Sequence, residues 1–468
     1  MSLVRPDGLV ALLTPSGIAA DKGAAAFFKS ISATGRLGAL FDFENKKVFF
    51  ADVHASFKFC TLVFGGPERQ FAQTRCAFYL HSLAELDAGQ SLLVLSKDDF
   101  QLVNPNTGAA PIFRSRRDAD ITLQLYRENP VLAKHGGNSE TQGVLPSHKV
   151  WPVKYATMFH MTNDSRHFIK PEELVAQGWQ PAAQGRWRLG DAEALPLYEG
   201  KMVQLYDHRA ADVVLNLANL KRAAQQESLT AEEKTNPNRL PEAQYFVSAH
   251  EVAKVWAGSW VIAYKSVTAP SNMRTMISAI LPRGGVGNSM AMLLPMPGGE
   301  DEYSTWAPLL LANLNSMAFD FVLRQKVQGQ NLNWFIVEQA SVITPQRFEQ
   351  TIGGVAIADF IREQVLHLSY TAHDLAPFAR DLGWVDGQGQ VKPPFVWHAE
   401  DRRQRLAALD GLFCHLYGLS DADAAHVLAS FAIVREQDIA AFGRFRTQDD
   451  VLAQLRAIRS GRLVVGAG

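Results

Sequence analysis

The feature that most constrains the fold is a continuous apolar run near the start of the chain, residues 8–14, closed by Pro15. Because consecutive positions are apolar, both faces of an extended segment would be apolar. This pattern is typical of a strand buried on both faces of a parallel sheet. Only about eight residues precede the run. A doubly wound domain needs further strands beside it, so the first half of the sheet is expected to be missing.

The next segments continue the alternation of strands and helices. A helix is predicted with Asp21 near its start and residues 24–31 as its body. Residues 37–43 and 57–64 predict two more strands, the second stopped by the glycines and proline at 65–67. This order is that of one half of an α/β sheet.

Length and composition limit the remaining possibilities. At roughly 100–200 residues per domain, 468 residues predict two to four domains. A content of 47% hydrophobic and 20% charged residues excludes a disordered, collagen-like or coiled-coil chain. The formal net charge is -1, so any nucleic-acid contact must come from a local basic patch.

Cysteine spacing and hydropathy predict a cytoplasmic protein without membrane contact. Cys60, Cys76 and Cys414 form no CxxC pair, which excludes a disulfide framework or zinc ribbon and favours a reducing compartment. The first ten residues lack a signal-peptide core, and no run of about 18 apolar residues occurs.

The short motifs that could indicate a nucleotide-binding, nuclease or metal site are weak signals. The glycines at 65–66 and 284–287 lack the strand–helix frame of a nucleotide-binding turn, so ordinary turns or flexible loops are favoured. Glu199 and Lys201, with Asp191 upstream, fit a nuclease ExK pattern, but a solvated turn is favoured. His160 and His167 are the nearest approach to a metal pair, and no metal is expected.

Two sequence features are compatible with nucleic-acid binding. Between residues 144 and 190 there are six basic and three acidic residues, interleaved with three tryptophans. In the strand predicted at 57–64, alternation places Phe57 and Phe59 on one face and Lys58 on the other. An aromatic ring at the mouth of a sheet could stack on a base flipped out of DNA, while the alternative is an ordinary core strand.

Several segments in order resemble the large adenine-specific DNA methyltransferases of type IIG restriction–modification systems and their phage-defence relatives. The resemblance covers nearly the whole chain, and no single motif decides it. The segments are residues 8–15, 41–45 with 48–49 and 54–62, 104–117 with Tyr126, 195–202 with 206–209, 272–282, 315–329, and 370–377 with 410–419.

The resemblance implies an architecture and a set of partners. It implies a partial Rossmann-like methyltransferase sheet (α/β, residues 1–125), a mixed α+β target-recognition domain (126–355) and a helical C-terminal region (356–468). Double-stranded DNA is the implied partner. Phe57 and Phe59 become candidates for stacking on a flipped adenine. The DNA-contact candidates, each with a surface salt bridge or helix-end charge as its alternative, are Arg274, Asn272, Arg324, Lys326, Lys154 and Arg166.

The sequence departs from the family at its catalytic motifs. The Asn-Pro-Pro-aromatic tetrapeptide is absent, since Asn104-Pro105 continues with Asn106. The glycine-rich turn that binds S-adenosylmethionine is absent too, so this cofactor is expected in the complete enzyme and not on this chain alone. Whether the chain is an enzyme by itself therefore stays open.

Three functional hypotheses remain. The first is the C-terminal portion of a site-specific adenine-N6 DNA methyltransferase, catalytic only with an upstream methyltransferase or nuclease chain. The second is a non-catalytic DNA-specificity subunit that acts with a separate methyltransferase. The third is a degenerate remnant without function.

Overall fold

A computed structural model of the chain describes residues 4–136, 138–139, 143–144, 147–215, 224–327 and 329–466. The chain divides into two compact units. Unit 1 contains residues 1–150, 325–328 and 335–342, and unit 2 contains residues 151–324, 329–334 and 343–468. The three predicted domains do not coincide with this division, and their boundaries stay a prediction.

Unit 1 is built on one five-stranded sheet with helices. Its helices are α1 (Ala25–Ser32), α2 (Leu83–Asp87), α3 (Lys97–Val103) and α4 (Arg116–Glu128). Its strands are β1 (Leu9–Pro15), β2 (Leu37–Glu44), β3 (Lys58–Gly65), β4 (Thr74–Leu80), β5 (Leu93–Leu95), β6 (Ala133–Lys134), β7 (Asn138–Ser139), β8 (Gly143–Val144) and β9 (His148–Lys149).

The order of the main sheet is β1-β3-β2-β4-β5. Strand β3 is antiparallel to both β1 and β2, whereas β2 and β4 are parallel. Strands β1, β2 and β4 therefore run in one direction, and their carboxyl ends lie at the same edge of the sheet. Helix α3 begins at a capping box, in which Ser96 and Asp99 satisfy each other's backbone amides.

For β1, the predicted strand is confirmed, but its predicted burial in a parallel sheet is wrong. Residues 9–15 do form a strand, but it lies at the sheet edge, pairs antiparallel with β3 and is largely exposed on both faces. The side chains of Leu9 and Leu13 are 48% and 62% exposed. Apolar content predicted the strand correctly, but it could not tell a strand buried in a sheet from an uncovered apolar edge.

Unit 2 carries the larger core. Its helices are α5 (Pro171–Ala176), α6 (Ala249–Val255), α7 (Tyr303–Asn315), α8 (Met317–Arg324), α9 (Trp334–Val337), α10 (Ile357–Ser369), α11 (Ala376–Asp381), α12 (Ala399–Leu416), α13 (Asp421–Ala429), α14 (Ala432–Phe442) and α15 (Arg446–Arg459). Of these, α9 is divided between the units, since only its first residue belongs to unit 2. Its strands are β10 (Val153–Ala156), β11 (Gln180–Ala182), β12 (Arg186–Leu189), β13 (Ala192–Tyr198), β14 (Ala211–Leu215), β15 (Ala224–Ser228), β16 (Phe246–Ser248), β17 (Trp260–Lys265), β18 (Ser278–Pro282), β19 (Gly285–Val286), β20 (Met290–Pro295), β21 (Thr351–Ile352) and β22 (Val355–Ala356).

Two sheets organise unit 2. The first has the order β10-β20-β17-β18, and its strands β17, β18 and β20 are almost wholly buried because both of their faces are covered. The second runs β11-β12-β13-β16, with β19 added parallel to β13. The glycine segment at 284–287 therefore includes a buried strand, and its prediction as a flexible loop was wrong.

The apolar sequence at residues 309–322 predicts one long helix, but the chain forms two helices there. Helices α7 and α8 meet at a bend of 60°. At the bend Ser316 has extended backbone angles, and its hydroxyl accepts a hydrogen bond from the Phe319 amide, which caps α8. Among the described residues no single helix is long and apolar enough to cross a membrane; this bent, buried pair passes the same test only jointly, on length and composition.

The C-terminal region is helical from α10 to α15, as predicted. A serine followed three residues later by an acidic residue predicts a helix start at Ser420, and Ser420 does cap α13 by accepting from the Asp423 amide. Gly411 lets α12 approach α15 closely, because a Cβ atom there would lie 2.6 Å from that of Gln454. The mixed α/β class is thus confirmed, whereas the Rossmann-like character of the first sheet stays a prediction.

Residues 134–150 are rich in glycine, serine, asparagine and histidine, which predicts a loop, and the segment falls partly outside the described residues. In its described part, β6 pairs with β9 and β7 with β8. Short strand pairs were not signalled by the glycine, serine and asparagine content of this segment.

Asp410 makes the stability of unit 2 depend on pH. Its carboxylate accepts the Met317 amide at the start of α8, and burial raises its pKa to about 6. The native state then holds this proton more tightly than the unfolded chain, so stability falls as pH rises from about 4 to 6. We expect Asp410→Asn to raise the free energy of unfolding at pH 7.5 by about 1–3 kcal/mol. The variant should also flatten the pH profile in that window.

Denaturant titrations followed by tryptophan fluorescence would measure this, because all nine tryptophans lie in unit 2. An Asp410→Asn protein that is less stable than the parent at pH 7.5, with an unchanged pH profile, would contradict the assignment. Asp359→Asn, at an exposed position, is the control.

Candidate base-binding pit

An aromatic pit opens at the carboxyl ends of β1 and β2 in unit 1. Its cavity measures about 260 Å³. Ligands of open α/β sheets bind outside the carboxyl ends of the strands, which is where this pit lies. The lining residues are Leu13, Thr14, Pro15, Asn45, Phe50, Val53, Phe57 and Phe59.

The two predicted stacking residues both line the pit, but they differ in how much of each ring is open to a ligand. Phe57 directly precedes β3 and is 54% exposed. Phe59 stacks on Phe43 with ring centroids 5.3 Å apart and planes at 11°. It also meets the rings of Phe49 and Phe50 edge-on at 5.2 Å each. Phe59 is therefore fixed within an aromatic cluster, and Phe57 offers the more open ring surface.

Asn45 holds the wall of the pit in place. Its amide nitrogen donates to the carbonyls of Phe50 and Val53, at 2.8 and 3.0 Å, and its oxygen accepts the Phe50 amide. The side chain is fully buried, so these bonds form in a low-dielectric setting and are costly to lose. An asparagine here substitutes for a regular turn and shapes residues 50–53 around the opening.

The opposite face of the same sheet edge is polar. Asp42 is buried, accepts a hydrogen bond from the Ser16 hydroxyl, and has its pKa raised by burial. Glu44 pairs with Lys46 at 3.0 Å and His81 at 3.3 Å. Although partial burial acts to raise the pKa of Glu44, these two partners lower it overall.

Arg274 and Arg324, two predicted DNA contacts, meet in the interior of unit 2. Asp320 accepts from Arg274 Nε at 2.8 Å and from Arg324 Nε at 3.2 Å. Arg324 also lies 3.8 Å from the centroid of the Phe431 ring. Both guanidinium groups are thus enclosed and already paired, and DNA contact by either would require this cluster to open.

Lys326 belongs to unit 1 and is also engaged. Its amine donates to the Val103 carbonyl and, at 2.6 Å, to Asn104 Oδ1, and it lies 4.9 Å from the Tyr126 ring centroid. Burial pushes the pKa of this amine well below its ordinary value. These contacts fix the start of the 104–108 turn, which gives Lys326 a structural role alongside the DNA contact proposed for it.

The remaining DNA-contact candidates are exposed. Asn272 lies in a turn and donates to Thr268 at 3.4 Å, Lys154 lies on β10, and Arg166 donates to its neighbour His167. The interleaved tryptophans belong to packing clusters instead. Trp151 is fully buried against Trp306 and Phe348.

The weaker motifs are packed against other parts of the chain. A Cβ on Gly65 or Gly66 would lie 2.3 Å from backbone atoms, so the chain approaches both glycines closely. Glu199 is buried and pairs with Lys201 at 3.4 Å, so its prediction as part of a solvated turn was wrong. Across the described residues, no group of three histidine, cysteine or acidic side chains could hold a metal ion.

Comparisons with known proteins give only distant likenesses. No protein-family model and no curated protein sequence matches the chain. Among solved structures, it matches the type IIL restriction–modification enzyme MmeI in complex with DNA, with 11% identity and a TM-score of 0.39 over 94% of this chain and 50% of that one.

The chain also matches the type IIG restriction endonuclease BpuSI, with 10% identity and a TM-score of 0.29 over 89% of this chain and 48% of that one. The chain therefore spans about half the length of either enzyme. Both are restriction enzymes, but identities and TM-scores this low do not carry a functional assignment.

One residue of the pit, Asn45, was not singled out as a site residue by sequence reasoning. It acts through hydrogen bonds to Phe50 and Val53. The sequence gives no sign of these bonds, because they depend on how residues 45–53 fold back on themselves.

Proposed function

We propose that this chain is the C-terminal portion of a site-specific DNA adenine-N6 methyltransferase of a restriction–modification or phage-defence system. Its part in the reaction is to contact DNA and to supply one wall of the pocket that holds the flipped adenine. The observation that carries this proposal is the aromatic pit at the carboxyl edge of the unit 1 sheet, with Phe57 exposed at its opening.

The dimensions and chemistry of the pit suit a single base. Its lining is mainly apolar, with aromatic rings that can stack on either face of a flat heterocycle. Stacking a base on an aromatic side chain contributes about 1–3 kcal/mol and compensates for the stacking lost in the duplex. Phe57 would make this contact, while Phe59 and Asn45 keep the opening in shape.

In this proposal the methyl donor is not held by the residues that bind the base. S-adenosylmethionine supplies the methyl group in such enzymes, and at the Gly65–Gly66 turn the chain's own backbone lies 2.3 Å from where a Cβ would be. We therefore assign the donor site to elements that pair with the free edge of β1. An exposed apolar edge strand is a ready template for a further strand. The exposed Leu9 and Leu13 would be buried by that pairing.

The test uses two DNA duplexes that differ only in one unpaired adenine. We expect the chain to bind the bulged duplex more tightly, because the extrahelical base costs little to place in the pit. Phe57→Ala should weaken binding to the bulged duplex by about 5- to 150-fold and leave the paired duplex almost unaffected. Fluorescence anisotropy at low salt measures both affinities.

Leu83→Ala is the matched control, since Leu83 is an exposed apolar residue of unit 1 outside the pit. Equal binding of the two duplexes, unchanged by Phe57→Ala, would refute the base-binding role. Transfer of a labelled methyl group by the isolated chain would refute the assignment of the donor site to other elements.

A non-catalytic specificity subunit is the second candidate, favoured by the exposed cations of unit 2. Lys154, Arg166 and Lys170 are all exposed on its surface. A subunit of this kind would bind a particular paired sequence and show no preference for an unpaired adenine.

A further inference from the structure

Tyr79 has an unusual backbone conformation near the carboxyl edge of the unit 1 sheet, on the face that carries Lys58 and not on the face of the pit. It lies in β4 with a φ of 57°, a region that residues other than glycine rarely occupy. The pairing of β4 with β2 shifts register at this point, between Phe41 and Phe43. An irregularity of this kind re-aims a side chain, and strain of this kind persists where the surrounding structure enforces it, often at functional sites.

Two cations lie against the Tyr79 ring. Lys58 Nζ is 4.7 Å from the ring centroid, and the Arg114 guanidinium is 5.1 Å from it. Within the described ranges neither cation has an ion-pair partner. The nearest acids on this face are otherwise engaged: Glu44 pairs with Lys46 and His81, and Asp42 is buried against Ser16. Lys58 is near enough to Asp42 and Glu44 to act on the pKa of both carboxyls, and Arg114 also hydrogen-bonds Tyr79, but neither cation is held in a close ion pair.

The position of this pair links it to the pit. Lys58 lies between Phe57 and Phe59 in the sequence, and both of these line the pit. Arg114 directly precedes the Ser115 cap of α4, so its guanidinium stands at the start of a helix, with the exposed Arg116 close behind. One edge of the sheet thus offers an aromatic surface on one face and a positively charged one on the other.

We propose that Lys58 and Arg114, aligned by the Tyr79 ring, bind a backbone phosphate of the DNA strand whose base enters the pit. This inference rests on the proposed function and adds to it the residues that bind the phosphate. Arginine offers a planar fork of donors and lysine a mobile point charge, a combination that suits phosphate oxygens. The ring limits the freedom of both side chains and so lowers the entropy lost on binding.

The salt dependence of DNA binding tests the proposal. Each protein–phosphate contact contributes about one unit to the slope of log K against log salt. We expect Lys58→Gln and Arg114→Gln each to reduce the slope by about one and to weaken matched and bulged duplexes alike. Lys58→Arg should retain the parent slope. Arg127→Gln is the control, because Arg127 lies at the far end of α4 and pairs with Asp99.

A neutral methylphosphonate beside the bulged adenine identifies the phosphate. This substitution should weaken binding by the parent protein and have little further effect on the Lys58→Gln/Arg114→Gln protein. Unchanged slopes in both single variants, or an equal methylphosphonate effect in parent and double variant, would overturn the proposal. Loss of all DNA binding by the parent at low salt would instead refute the proposed function itself.

Discussion

Replacing Asp320 with alanine is expected to lower the free energy of unfolding of unit 2 by about 3–5 kcal/mol. Asp320 is fully buried, and its two oxygens accept from Arg274, Arg324 and the Thr275 amide. Burial alone would raise the pKa of this carboxyl, but the two guanidinium groups hold it below its ordinary value. Alanine would leave two buried positive charges facing each other without a counterion.

The depressed pKa also fixes the sign of the pH effect. A carboxylate whose pKa is lower in the folded state contributes its stability above the unfolded value and loses it as pH falls below about 4. The difference in stability between parent and Asp320→Ala should therefore shrink in acid. Tryptophan fluorescence during denaturant titration follows unit 2 alone, since every tryptophan lies there.

Asp359→Ala supplies the matched control. Asp359 pairs with Arg362 at 3.0 Å, but its side chain is 76% exposed, and surface pairs contribute about 0–1 kcal/mol. A DNA-contacting role for Arg274 and Arg324 predicts a different result for Asp320→Ala. If that role dominated, Asp320→Ala would free both cations, strengthen DNA binding and change stability little.

Arginines illustrate what the sequence could and could not predict. Composition and position in a motif mark Arg274 and Arg324 as candidates, but neither reveals that Asp320 lies between them in three dimensions. The sequence equally placed Phe57 and Phe59 on one face, and the structure puts both in the pit. Alternation is a local property of a strand, whereas burial of a charge depends on distant partners.

For the strands, too, the sequence predicted local features and not the pairing of distant segments. Apolar runs located β1, β2 and β3 within a few residues. They did not predict that β3 would insert antiparallel between β1 and β2, because strand order depends on pairing between distant segments. Nor did they signal Tyr79, whose positive φ is imposed by the irregular pairing of β4 and not by a glycine.

Arg209→Lys is expected to destabilise unit 2 by about 2–4 kcal/mol, although it conserves the charge. Arg209 is fully buried. Its two terminal nitrogens donate to the carbonyls of Asn236, Arg239, Lys234 and Thr371, at 2.8–3.0 Å. A lysine ammonium is a single point with three donors and cannot span four carbonyls that surround a planar fork. At least one acceptor would remain buried and unsatisfied.

The same substitution should also loosen a specific segment. The carbonyls come from residues 234–239 and from residue 371, so the guanidinium joins the loop before β16 to the segment that precedes α11. Hydrogen exchange should accelerate in residues 234–239 of Arg209→Lys before the rest of unit 2 is affected. Arg380→Lys, at an exposed position, should change neither quantity. Uniformly faster exchange throughout unit 2, with no excess at 234–239, would show that Arg209 contributes only to global stability.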